Sequence, residues 1–178
     1  AEAVRSKAQT LTQLGRQTEA IETLSDGIEH VHESLGEEHS SLIGLTGQLA
    51  KAHRTAGRHG MSIPLYEEAV QRSLRFADGD ETNTRVLTNR NNLANGLLAA
   101  GRHEEAAEQF RVIADVASRT QPDSILHGWS LRGVGRALSA AQRHGDAETA
   151  LLRAVYELGR TQGQNHPRAL RAIESLLA

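Results

Sequence analysis

Apolar residues recur three and four positions apart through most of this chain, with polar residues filling the positions between. That spacing is the period of helices with one buried face. The pattern stops at short clusters of Gly, Asp, Pro and Ser and then resumes. Reading from break to break predicts first helices at 2–14, 41–56, 83–100 and 124–141, second helices at 17–34, 61–77, 103–119 and 144–161, and a last helix at 167–178. The linkers "DGDET" (78–82) and "TQPDS" (120–124) supply breakers, and Thr82 and Asp123 are the expected N-caps.

The breaks are themselves periodic. "LGRQTEAIETL" from Leu14, "AGRHGMSIPLY" from Ala56, "AGRHEEAAEQF" from Ala100 and "AQRHGDAETAL" from Ala141 align on Gly15, Gly57, Gly101 and Gln142, which lie 42, 44 and 41 residues apart. A glycine there suits the left-handed conformation that ends a helix. "LGEEHSS" (35–41) and "QGQNHPR" (162–168) form a second repeated marker before a helix. Small and large residues alternate at matched sites: Ala8, Leu11, Ala20, Leu24 and Ile28; Ala94, Leu97, Ala106, Phe110 and Ala114; Gly135, Leu138, Ala147, Leu151 and Val155. The second repeat departs, with His53 and Ser62 at two of these sites. A helix pair this small cannot bury its apolar face alone, so the stack is the fold.

The small–Leu pairs, the Gly-Arg turn, and the following Ala with Leu or an aromatic four residues on resemble the tetratricopeptide repeat over essentially the whole chain. The period exceeds the usual 34 residues. With "LGEEHS", "NNLA", "IPLYEEAV" and Pro64, it is similar to the long-repeat, kinesin-light-chain-like subgroup. The resemblance implies an all-α fold, a right-handed α-solenoid of antiparallel helix pairs. One array over 1–178 is expected, with repeats at 1–38, 39–81, 82–122 and 123–163 and a terminal helix at 166–178.

The resemblance also implies that first helices line a concave groove. Residues spaced by three and four then give its wall. The first repeat offers Glu2, Arg5, Ser6, Gln9 and Thr12, and the second Gly44, Gly47, Gln48, Lys51 and Arg54. Thr88, Asn91, Asn92, Asn95 and Leu98 follow in the third, then Trp129, Arg132, Gly133, Arg136 and Ser139 in the fourth. Asn is a poor helix former. Its amide donates and accepts, so Asn91, Asn92 and Asn95 either hold an extended backbone or bond between neighbouring helices. Asn89 falls off that face and is expected at the surface. Lys51, Arg54, Arg132 and Arg136 either make the groove basic, suiting an acidic segment, or pair with acidic neighbours. Trp129 is either a binding anchor or packing against the preceding repeat. The carboxylate-clamp pattern of the family is not reproduced, because Lys and Asn do not align across consecutive repeats.

Net charge is −2 and aromatics are 3%. Neither a global positive field nor a stacking surface favours nucleic acid. No run approaches the roughly 18 apolar residues of a membrane span. The absence of Cys excludes disulfides and thiolate metal sites and is compatible with a cytoplasmic protein; Arg far outnumbers Lys, which occurs only at Lys7 and Lys51, as a GC-rich genome would give, and a bacterial source is expected. Of nine His, those at 59, 103 and 144 recur just after the turn, which marks a structural role. "GVGRA" (133–137) is no dinucleotide loop, its glycines suiting close helix packing. No nucleophile, base and orienting group assemble. The chain is therefore expected to be no enzyme and to need no metal or cofactor.

The expected function is a non-catalytic scaffold that binds a peptide or protein segment, extended or acidic, in the groove. The alternative is a regulatory or sensor module of a larger bacterial signalling or transcription regulator. "RALRAIESLLA" (168–178) ends apolar, as expected of a fragment. Open ends also suit end-to-end stacking into a weak homodimer.

Overall fold

The computed structural model describes residues 1–163, together with 167 and 174. Among the described residues it holds eight helices and no strand: α1 (Glu2–Gln13), α2 (Gln17–Leu35), α3 (Ser41–Thr55), α4 (His59–Phe76), α5 (Thr84–Ala99), α6 (His103–Thr120), α7 (Ile125–Ala140) and α8 (His144–Gln162). The expected α-solenoid class is the fold observed, with every helix within two residues of its predicted bounds at both ends. The expected terminal helix, 166–178, lies outside the described residues apart from Pro167 and Glu174. The chain forms two compact units, Ala1–Ala99 and Ala100–Ala178.

The turns inside the pairs share one geometry. Gly15, Gly57 and Gly101 have φ of 76°, 72° and 77°. Around Gly15, the Arg16 amide donates to Leu11 O at 2.9 Å and the Gly15 amide to Thr12 O at 3.1 Å. This pair of hydrogen bonds closes the helix end and satisfies two orphan carbonyls. The Arg after each glycine position then stands as N-cap of the second helix. Arg16 reaches Glu19, Arg102 reaches Glu105, and Arg143 reaches Asp146, each within its own first turn. The second repeat has Met61 at that place and lacks the pair.

The expected caps between pairs are corrected. The Thr82 hydroxyl donates to Asp80 Oδ1 at 2.7 Å, and Asn83 Oδ1 instead accepts the Arg85 amide at 2.9 Å. Before α7 the cap is Ser124, whose side chain accepts from Leu126 N. Asp123 is drawn away by Arg160 Nη1 at 2.8 Å. Arg75 and Glu38 repeat that long-range pairing at 3.4 Å, and both pairs span 37 residues.

In the first unit, Ala8, Leu11, Ala20, Leu24, Leu42 and Leu45 form a continuous buried cluster. In the second, Leu131, Ala154 and Leu158 pack with Ala114. His53 and Ser62 are buried as the repeat register requires. The glycines of "GVGRA" lie under large side chains: a Cβ at Gly133 would meet Phe110 Cδ1 at 2.6 Å, and one at Gly135 would meet Leu151 and, at 3.2 Å, Ala147 O. The first helices α1, α3 and α5 lie side by side within the first unit, since α3 touches both of the others.

Candidate functional site: a cleft on the first-helix face

That side-by-side placement leaves an open cleft of about 740 Å³ on α1, α3 and α5. Gly44, Gly47, Gln48 and Lys51 of α3 line it. The spacing is helical, and the two glycines lower the wall between neighbouring helices. A Cβ at Gly44 would come 3.2 Å from Arg5 Nη1, so the bare backbone there lets the Arg5 guanidinium lie on α3. α5 contributes Thr84, Arg85, Thr88, Asn89 and Asn92. Phe76, at the end of α4, closes one side; it is 52% exposed, with the Arg85 guanidinium 4.6 Å from its ring centroid. Such stacking holds a cation in place over an apolar face without consuming its hydrogen-bond donors. Arg5, Lys51 and Arg85 are all cationic, and among the described residues no carboxylate side chain lines the cleft.

The structure sorts the residues singled out in the sequence. Gln48, Lys51 and Asn92 line the cleft, whereas Asn91, Asn95 and Arg54 do not. Asn95 Nδ2 donates to Asn91 O at 2.7 Å, inside its own helix. Arg54 Nε donates to the Tyr66 hydroxyl at 3.4 Å, and burial pushes that phenol above its ordinary pKa. Asn89 is the correction: expected at the surface, it is 7% exposed and sits in the cleft. The α5 face that meets the cleft runs Arg85, Thr88, Asn89, Asn92, one register back from the face expected. The spacing of three, one and three was present in the sequence.

In the second unit, Trp129, Arg132 and Arg136 lie on α7. Trp129 is 42% exposed, with the Arg132 guanidinium 5.6 Å from its ring centroid, and Arg136 is exposed. No group of three His, Cys, Asp or Glu suited to a metal ion occurs among the described residues. Nor, among them, is any helix long and apolar enough to cross a membrane.

Comparison with known proteins agrees with this architecture. A family model described as tetratricopeptide repeat matches residues 84–155. A Podosopora anserina protein described as a kinesin light chain with nearly identical TPR-like repeats is similar in structure, in its Q17M form, at a TM-score of 0.86 and 22% identity, over 98% of this chain and 82% of that one. BtubC (BKLC) from P. vanneervenii follows at 0.81 and 20%, over 98% and 69%. A Rap protein complexed with competence and sporulation factor reaches 0.66 and 14%, over 97% of this chain and 46% of that chain. No curated protein matches. The class is therefore an all-α array of stacked helix pairs. Residues 84–155 match the tetratricopeptide-repeat model, and the chain has the fold of the long, kinesin-light-chain-like repeat arrays.

Proposed function

We propose that this chain is a non-catalytic scaffold whose first-helix face holds an extended, acidic segment of a protein partner. One observation carries the reading: the cleft gathers Arg5, Lys51 and Arg85 with no carboxylate lining it among the described residues, in a chain of net charge −2. Its positive character is thus local. Carboxylates bind guanidinium and ammonium groups through charge-assisted hydrogen bonds, and Gln48 and Asn92 add amides that match a peptide backbone in either sense. Asn91, Asn95 and Arg54 extend the same helix faces. Trp129, Arg132 and Arg136 offer a further surface of the same chemistry on α7. The likeness to a Rap protein solved with a signalling factor supports a second reading, a regulatory module within a longer chain, since this chain spans 46% of that one. The full reading frame tests that second reading. Pairing of two copies through the array ends belongs to the proposal as well, and light scattering across a concentration series measures it.

Fluorescence anisotropy of the full chain with a labelled (Glu-Thr)5 peptide and a labelled (Lys-Thr)5 peptide tests the scaffold reading. The acidic peptide should bind more tightly. The double variant Lys51→Ala, Arg85→Ala should weaken it by about tenfold or more, with an unchanged helical signal. Equal affinity for the two peptides would sink the reading.

A further inference from the structure

Among the described residues, Arg5, Lys51 and Arg85 make no ion pair with a carboxylate. Arginines elsewhere do: Arg16 holds Glu19, Arg75 holds Glu38 and Arg102 holds Glu105. Glu81, the acidic residue nearest Arg85 in the sequence, is held by Arg90 at 2.8 Å. The two cleft guanidiniums rest instead on uncharged surface, Arg5 over the bare backbone of Gly44 and Arg85 over the ring of Phe76. Both residues are exposed, so both keep their planar forks of donors for a ligand.

The two groups stand at one level of the cleft. α3 touches both α1 and α5. Gly47 of α3 faces Asn89 of α5, since a Cβ on Gly47 would lie 3.5 Å from Asn89 Oδ1. First helices run parallel in an array of antiparallel pairs. One turn back along each therefore brings Gly44, with Arg5 upon it, level with Arg85. The hydroxyl-bearing Ser40, Ser41 and Thr84 line that same end. Lys51 stands seven residues beyond Gly44 on α3. That places it about 10 Å further along the cleft at the rise of an α-helix.

We infer that Arg5 and Arg85 clamp a phosphoryl group, so that the segment held in the cleft is a phosphorylated one. One guanidinium fork is enough to satisfy one carboxylate. Two forks at one level, with hydroxyl donors beside them and no carboxylate to neutralise them among the described residues, fit a group with three acceptor oxygens and about two negative charges. Lys51 then takes an acidic side chain about three residues from the phosphorylated one, the number that spans the distance in an extended chain. This inference rests on the scaffold reading and deepens it, because it names the chemical group held at one end of the cleft.

The test uses the full chain and labelled peptides built on one neutral Gln-Ala sequence. The first carries a phosphothreonine with a glutamate three residues to either side. The second has glutamate, and the third plain threonine, in place of the phosphothreonine. The fourth is the phosphopeptide with both flanking glutamates changed to glutamine. By fluorescence anisotropy the phosphopeptide should bind about tenfold more tightly than the glutamate peptide. Arg5→Ala and Arg85→Ala should each remove that preference with an unchanged helical signal. Arg5→Lys should not restore it, since an ammonium lacks the fork. Lys51→Ala should weaken the phosphopeptide by about three- to tenfold and leave the fourth peptide unchanged. Equal binding of the phosphopeptide and the glutamate peptide overturns the clamp while leaving the acidic-segment reading standing. A preference for phosphate that survives both arginine variants overturns it as well. Inorganic phosphate that competes as tightly as the phosphopeptide shows a small-anion site, and the inference fails. Capture of the chain by phosphatidylcholine vesicles carrying a phosphatidylinositol phosphate, with no phosphopeptide bound, assigns the clamp to a membrane surface and overturns the inference too. If none of the peptides binds, both readings fall.

Discussion

The ring of Phe110 on α6 lies across Gly133 on α7 so closely that a Cβ at 133 would stand 2.6 Å from Cδ1 and 2.7 Å from Cγ of that ring. Both residues are buried, and the clash would fall on the body of a ring that packing holds in place. Gly133→Ala should therefore destabilise the protein by about 1–3 kcal/mol, as overpacking does. Gly145, near the start of α8, has open space where its Cβ would be. Gly145→Ala should stabilise by up to about 1 kcal/mol through helix propensity. Urea denaturation of the two variants side by side measures the contrast. Shifts of one sign would mean that Phe110 yields more readily than its burial implies.

Gln142 stands where the other turns have glycine, and its φ is 60°. That left-handed conformation strains any side chain with a Cβ by about 1–2 kcal/mol, and the added freedom of glycine in the unfolded chain offsets part of the relief. Gln142→Gly should gain roughly 0.5–1 kcal/mol of stability. A loss in the denaturation midpoint would show that the glutamine side chain holds the turn in some other way.

His53 occupies a core position where the other repeats place Leu11, Leu97 and Leu138. Burial pushes its pKa below the ordinary 6.5, and the positive charge of Arg58 pushes the same way. Burial likewise lowers His127, against a partial pull from Glu157. The folded state thus binds fewer protons than the unfolded chain once pH drops below about 6.5. Stability is complete above that value and falls as pH descends through it towards the folded pKa. The depressed carboxylates Glu19, Asp80 and Glu105 lose their contribution only at lower pH, below their ordinary values of 4.5 and 3.8. Melting temperatures from pH 7.5 to pH 5 should decline for the wild type and decline less for His53→Leu, which should also be more stable throughout. Parallel profiles for the two proteins would exclude His53 as a source of the decline.

Reading the sequence succeeded where the signal is periodic and local. The helix period repeats four times, and the turn glycines and the alternation of small with large residues three times each, so a local error in one copy is corrected by the others. It failed where two chemically equal partners compete at short range. Thr82 and Asp123 are sound caps by composition, but Asp80 takes the Thr82 hydroxyl and Arg160 takes the Asp123 carboxylate. Asn83 and Ser124 then cap instead. No sequence pattern ranks an intrahelical cap against a partner 37 residues away.

The sequence by itself determined an all-α array with a 41–44-residue period, close helix bounds and the core of each layer, because burial of one helix face is written into residue spacing. Its groove set already held Gly44, Gly47, Gln48, Lys51 and Asn92. Only the tertiary structure decided how far each first helix is rotated about its own axis. On α5 the cleft takes Arg85, Thr88, Asn89 and Asn92, and Asn91 and Asn95 are not part of its lining. Spacing fixes which residues share a face, but the packing of α5 against α3 and α4 chooses which face meets the cleft.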